Sequence, residues 1–434
     1  MRQTLNTHGG VPTPISRDVN MNMTLLLDLD DTLLDSSMDT FLPAYFQALS
    51  GFLADQVAPD LMVSALITGT RKMMANDDPS RTLQQVFDAE FFPLLGVECE
   101  DFQPRFDQFY EEVFPTLGYL TSPRPEAVDL VEWALTHGVR LAVATNPLFP
   151  LTAIHERMRW AGLPPEDFPF VVVSAYEEFH FSKPNPAYFA EILGRMGWPD
   201  GPVVMVGDDP ERDLTGSHVL GLPAYWINTS EDAPPDGIDL AGRGSIGDLR
   251  PWLESIDLST LEPAFSSPEA LIALMLSTPA AISGLLPSPV KPRPKEARKR
   301  EQAEGPDLTR RPASNEWSLT EIICHLRDTE AEVNLARLHM LLELDEPFIP
   351  ARVTDAWAEE RNYNSQDIVQ ALQDFTSMRV QIVELLRGLT DEWQRKARHA
   401  IFGPTDLQEL VKFMVEHDRL HIRQIWSTLE QVAG

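Results

Sequence analysis

The apolar positions of this chain change their period along its length. Residues 24–30, TLLLDLD, form a short apolar run ending in acidic residues, as expected of a buried parallel strand that delivers side chains at its C-terminal edge. Runs of the same kind recur at 139–146 (VRLAVATN), 170–175 (FVVVSA) and 202–209 (PVVMVGDD), separated by helix-patterned stretches such as 125–138 and 186–197. This alternation predicts a doubly wound parallel α/β sheet. Between the first and second strands, residues 36–122 carry several amphipathic helical patterns, including YFQALSGFLADQ, LMVSALITGTRKMM, RTLQQVFDAEFFPLL and FQPRFDQFYEEVF, which read as an inserted helical cap. After PWLESI at 251–256 the strand signals stop, and from Ser267 onward long helical patterns predict a second, all-helical domain. The expected organisation is a disordered tail at 1–23, an α/β domain at 24–255, a linker at 256–266, and a helical domain at 267–434 interrupted by a basic insertion at about 287–311.

Composition narrows this picture. A chain of 434 residues exceeds one ordinary core, and at roughly 100–200 residues per domain it should hold two or three units. With 43% hydrophobic and 23% charged residues it reads as globular, and no apolar run approaches the roughly 18 residues needed to span a bilayer. The polar N-terminus lacks the apolar stretch of a secretory signal, so a cytoplasmic location is expected. Cys99 and Cys324, one in each half, give no disulfide framework. A formal charge of −31 disfavours nucleic acid and anionic lipid as partners, and the six Lys or Arg within 291–300 read as a solvated linker.

The acidic strand ends carry the chemistry. In Asp28-Leu29-Asp30-Asp31-Thr32, alternation along an extended strand would put Asp28 and Asp30 on one side. One carboxylate can attack phosphorus while the other protonates the leaving oxygen and then activates water. This motif resembles the first motif of the haloacid dehalogenase superfamily. Thr145, followed by Asn146, offers a hydroxyl and amides to a phosphoryl oxygen, and Lys183 in Ser182-Lys183-Pro184 offers a cation to the nucleophile and the transferred group. Gly207-Asp208-Asp209, with Asp213 beyond, supplies carboxylates for magnesium or its waters.

Each piece alone is common; their order and spacing together carry the reading. The resemblance covers residues 24 to about 250 and implies that Asp28 is the nucleophile and Asp30 the acid–base. It further implies that Asp28, the Asp30 carbonyl and Asp208 hold Mg2+, with Asp213 as a second-shell or auxiliary ligand and no firm role assigned to Asp209. A carboxylate two residues after the nucleophile favours phosphorus over carbon–halogen chemistry, and hydrolysis of a small phosphorylated metabolite over phosphomutase or phosphonate cleavage. Substrate choice falls to the cap, where Arg71 and Lys72 follow Thr68-Gly69-Thr70, a segment that reads as a helix break.

In the helical domain His417 and His421 stand at i, i+4 on one helix face, and His325 follows Ser318, where a capping box with Glu321 should start a helix. Three imidazoles on two helices of a bundle make an open metal site. These stretches resemble the DinB-like four-helix bundles, with a tryptophan-led helix bearing the first His, an H-x-x-x-H pair on the last, a Gly403-Pro404-Thr405 turn and Arg379; the basic insertion departs from the pattern. The resemblance implies Zn2+, Ni2+ or another divalent transition metal, and in some members thiol-dependent transfer or isomerisation. Trp317, Trp357, Trp393 and Trp426 read as core rather than substrate platform. Two alternatives stay open: the bundle carries the main reaction as a metal- and thiol-dependent transferase or isomerase, or it serves as a regulatory or homodimerisation module.

Overall fold

The computed structural model describes residues 20–287 and 307–432. Residues 1–19 of the expected tail and most of the expected basic insertion lie outside the described residues. The end of that tail is packed rather than free, since Met21 and Met23 are buried and the Met21 amide donates to the His137 carbonyl.

Six parallel strands form the first sheet: β1 (Thr24–Leu27), β2 (Arg140–Val143), β3 (Val172–Val173), β4 (Val203–Gly207), β5 (Ala224–Ile227) and β6 (Gly242–Gly244). Their spatial order is β3-β2-β1-β4-β5-β6, and all five pairings are parallel. Strand order therefore reverses between β1 and β4, and the crevice at such a reversal is where doubly wound sheets receive ligands. The strands are shorter than their apolar runs. β1 stops at Leu27, so Asp30 lies beyond it in a turn where Asp31 takes φ 55°, and simple alternation is not what orients Asp30.

The cap consists of α1 (Met38–Phe52), α2 (Pro59–Met74), α3 (Leu83–Leu95) and α4 (Cys99–Gln108), and continues through turns to Leu120. A short antiparallel pairing of Leu34–Asp35 with Ser122–Pro123 joins it to the sheet domain. The expected break at Thr68-Gly69-Thr70 is absent: α2 runs straight through it. Gly69 faces α3, where a Cβ would meet the Phe87 ring at 2.7 Å, so the glycine serves close helix packing instead.

One face of the sheet, bearing Leu25 and Leu27, packs under α5 (Pro125–Thr136), α6 (Leu151–Trp160) and α9 (Ile246–Ser255), and the alternate face, bearing Leu26, under α7 (Pro186–Arg195) and α8 (Gly216–Leu220). The core of that second face does not end at α7. It continues through α10 (Pro268–Leu285) into a bundle made with α11 (Leu319–Thr329), its continuation α12 (Leu335–Glu343), α13 (Ile368–Arg387) and α14 (Leu407–Val432).

The expected linker is accordingly a packed segment: Leu261 is buried and the Ala264 amide donates to the Gly221 carbonyl. Helix α10 is covered by α7 on one side and by α13 and α14 on the other, which explains why it is apolar nearly all round. With 18 residues and a mean hydropathy of 1.3 it is long and apolar enough to cross a membrane, contrary to the expectation that no such segment exists, yet 67% of it is buried in the protein.

The bundle is not purely helical. β7 (Phe348–Ile349), β8 (Lys396–His399) and β9 (Gly403–Asp406) form a small sheet, so Gly403-Pro404-Thr405 belongs to a strand and the turn precedes it. Lys396–His399 alternate exposed and buried over only four residues, too short a period-2 signal to stand out among helices.

Candidate active site and histidine cluster

The residues after β1, β2 and β4 converge at the strand-order reversal. Asp28 leaves the end of β1 with its amide bonded to the Val206 carbonyl, and its carboxylate is largely buried. Lys183 Nζ, 1% exposed, lies 2.7 Å from Asp28 Oδ1 and 2.5 Å from Asp213 Oδ1. Asp213 also accepts the Asp209 amide at 3.0 Å. It can approach the end of β4 because residue 207 is glycine; a Cβ there would sit 2.1 Å from the Asp213 carboxylate. Thr32 donates to Asp208 Oδ1 at 3.3 Å.

Asp28, Asp208 and Asp213 offer carboxylate oxygens within 4.8 Å of one another. Burial, followed by the charges of Asp28, Asp213 and Asp31, pushes the Asp208 carboxyl up to about 8. Asp213 is raised as well, by burial against the opposing pull of Lys183. Burial disfavours the charge on Lys183, but Asp213 and Asp28 outweigh it and hold the ammonium protonated. Three clustered carboxylates against one ammonium leave an excess of negative charge, and a divalent cation is the species that such a donor set fits.

Thr145 lies two residues past β2, lining the same cavity as Asp28, and its carbonyl accepts the Tyr188 hydroxyl at 2.6 Å and the Ser174 hydroxyl at 2.7 Å. Asn146 also lines the cavity, but its Oδ1 accepts the Lys183 amide at 3.2 Å, so part of its task is to fix the lysine loop. Asp209 Oδ1 caps the following turn by accepting the amides of Glu211 and Arg212.

Of the cap cations, Arg71 is exposed and borders the cavity, whereas Lys72 does not border it: its Nζ lies 3.9 Å from Glu90 on the cap surface. Both sit in the last turn of α2, where consecutive residues point about 100° apart, so they could not both face the cavity.

A residue that the sequence reading passed over, Arg157 on α6, is fully buried and paired with Asp30 Oδ1, which also accepts the Ser36 hydroxyl at 3.0 Å. The guanidinium carbon lies 5.3 Å from both the Phe41 and Phe149 ring centroids, between cap and sheet domain. The hydrogen bond and ion pair of the Asp30 carboxylate among the described residues both fall on Oδ1. The available signal was positional: Arg157 falls on the buried face of α6 with Ala153, Ile154 and Met158, where an arginine needs an acid.

The bundle histidines also converge. Ser318 and Glu321 form the expected capping box, with Ser318 N donating to Glu321 Oε2 at 2.9 Å, and this starts the helix that presents His325. His325 Nε2 and His421 Nε2 each lie 3.2 Å from His417 Nε2. Burial pushes His325 down to about 3 and both His417 and His421 down to about 4, so all three imidazoles are neutral near pH 7. One ring N–H can satisfy only one of two nitrogen contacts, whereas a cation among the three nitrogens would satisfy all. Trp317, expected in the core, is partly buried against it and also stacks 6.1 Å from His421 at 9°, and Trp426 lies over Gly197 at the junction with the sheet domain; Trp357 and Trp393 are buried as expected.

Beneath His417, Arg379 is fully buried, with Nε 2.5 Å from Glu330 Oε1 and Nη1 2.6 Å from Asp418 Oδ2 and 2.9 Å from the Met275 carbonyl of α10.

Comparison with known proteins gives two separate matches. Residues 23–221 match the haloacid dehalogenase-like hydrolases, and residues 301–425 match the DinB superfamily. A phosphoserine phosphatase of Thermus thermophilus is 31% identical over 126 residues, covering 29% of this chain and 48% of that protein. A ribulose-1,5-bisphosphate 5-phosphatase of Halopiger xanaduensis is 30% identical over 121 residues, covering 28% and 48%. This chain thus spans about half the length of these relatives. Among solved structures, YfiT from Bacillus subtilis, with an unusual four-helix bundle topology, is similar over 40% of this chain and 91% of its own, at 18% identity and a TM-score of 0.32.

Proposed function

We propose that this chain, which joins a haloacid dehalogenase-like hydrolase region to a DinB superfamily region, hydrolyses phosphomonoesters through an aspartyl-phosphate on Asp28. The observation that carries the reading is the buried Lys183 ammonium held between Asp28 and Asp213 at the strand-order reversal, with Asp208 beside them. Asp28 attacks phosphorus as the bond to the leaving oxygen breaks, and Asp30 gives that oxygen its proton. Asp30 then takes a proton from water, whose oxygen attacks the phosphorus, breaks its bond to Asp28 and releases phosphate. Lys183 holds Asp28 in place and offsets charge on the transferred group, and the Thr145 hydroxyl is available to a phosphoryl oxygen. Arg157 and Ser36 fix one oxygen of Asp30, leaving the other to move the proton. Asp28, the Asp30 carbonyl and Asp208 would hold Mg2+, which when bound supplies further compensation for phosphoryl charge.

The test is phosphate release from a panel of phosphorylated compounds, with magnesium or with chelator, beside the Asp28→Asn variant. Loss of about a thousandfold or more in the variant is expected; release that survives the substitution would overturn the reading. For the bundle, convergence of three neutral imidazole nitrogens supports a divalent transition metal held by His325, His417 and His421.

A further inference from the structure

The space between the cap and the sheet is much larger than a phosphoryl group requires. Its volume is about 1650 Å3, above the roughly 300–1,000 Å3 of ordinary ligand pockets, and it runs from Asp28 to α3 and α4 of the cap. Away from the carboxylates its walls are largely apolar and carry the rings of Tyr45, Phe46, Phe87, Phe106, Tyr110 and Tyr176. A three-carbon ester would leave most of these rings facing water.

The charges on the walls are lopsided. Lys183 and Arg157 are engaged by Asp28, Asp213 and Asp30 at the reaction centre, and Arg212 pairs with Asp209 at 3.6 Å. Burial keeps His155 neutral near pH 7, so among the described residues Arg71, which is exposed, is the one bordering cation with neither a carboxylate partner nor a neutral form there. The cap side contributes Asp88, Glu100, Asp107 and Glu111. Asp88 has no hydrogen-bond or ion-pair partner among the described residues, is half-buried, and acts electrostatically on Tyr176. Burial pushes its carboxyl up to about 6, which still leaves it ionised at neutral pH. A half-buried carboxylate with no partner beside aromatic faces suits a cation, which gains from both the charge and the ring quadrupoles.

We propose that the alcohol released by this site is a flat apolar or aromatic body bearing an amine cation, with the ring among Tyr45, Phe87 and Tyr176 and the ammonium against Asp88. This rests on the phosphatase reading above. A leaving group with a carboxylate or second phosphate at the same place would meet the acids of the cap instead.

Three esters with one aryl body test it: 4-(2-aminoethyl)phenyl, 4-ethylphenyl and 4-(2-carboxyethyl)phenyl phosphate, whose side groups are insulated from the phenolic oxygen by two carbons. The expected order of kcat/KM is ammonium, then neutral, then carboxylate, with about tenfold between the first and last. In Asp88→Asn the ratio of ammonium to neutral ester should fall toward one, and tyramine should lose its advantage over 4-ethylphenol as a competitive inhibitor. Equal rates for the three esters, a carboxylate ester that is best, or a preference that persists in Asp88→Asn would overturn the proposal. 4-Nitrophenyl phosphate and the wider panel separate the two readings: Asp28-dependent hydrolysis there without turnover of the series sinks this proposal alone, and absence of Asp28-dependent release from every ester sinks both.

Discussion

Replacing Arg379 by methionine keeps a side chain of similar length but removes the charge that holds two buried acids together. Glu330 is 1% exposed and Asp418 2%, so neither can turn to water without disturbing the bundle. Removing one partner of a buried pair costs about 3–5 kcal/mol, because the remaining charge is left uncompensated. Here two acids lose one cation, but Asn334 still donates to Glu330 at 2.8 Å and Thr278 to Asp418 at 3.1 Å, so the loss should stay near that single-pair figure. Against a typical stability of about 5–15 kcal/mol, that is a large fraction. The Met275 carbonyl also loses its donor, which loosens α10 from α13. Urea unfolding followed by tryptophan fluorescence would show the midpoint falling with little change in slope. Converting Glu330→Gln and Asp418→Asn in the same chain should recover most of the loss. A single-variant effect below about 1 kcal/mol, or no recovery in the triple variant, would refute the account.

Other outcomes follow from the same geometry. Gly194→Ala would bring a Cβ to 2.6 Å from the Ala281 Cβ, and should destabilise by about 1–3 kcal/mol in thermal unfolding, with relief when Ala281→Gly is added; additive losses would argue against the contact. His417→Ala should weaken zinc or nickel binding at least about tenfold by calorimetry, and unchanged affinity would remove His417 from the ligand set. In the metal-free protein, His325, His417 and His421 should show no imidazole titration by NMR between pH 7.5 and 5.5. Their folded-state values lie below the unfolded value of about 6.5, so the stability they contribute is full above that pH and declines as pH falls toward about 4. Raised Asp208 and Asp213 act in the opposite direction, so the difference between wild type and His325→Leu across this range is the quantity to read.

The reaction centre was legible because it hangs on strand ends, where a buried apolar run followed by acids fixes both the element and its functional edge. Asp28, Thr145 and Asp208 come together for that reason, and Lys183, in the loop before α7, and Asp213, in the turn after β4, join them. Where β1 stops was not legible, since the turn depends on Asp31 adopting φ 55°, a local conformation that no period records. Arg157 was hidden because arginine on an amphipathic helix ordinarily marks the wet face, and its partner Asp30 is distant in sequence. Lys72 was misjudged because adjacency in sequence is not adjacency on a helix surface. The capping box at Ser318 and the i, i+4 pair His417 and His421 were local and could be read; His325 joining them depended on how two helices pack.

Helix α7 has nine of its ten residues buried because the sheet covers one side and α10 the other. The family boundaries at 221 and 301 therefore do not mark places where the chain can be divided. A polypeptide ended near 255 would expose the apolar surface of α7 that α10 now covers, and one begun near 301 would lack the helix against which α13 and α14 pack. The two regions match separate families in sequence, yet each covers apolar surface that the other would leave to water.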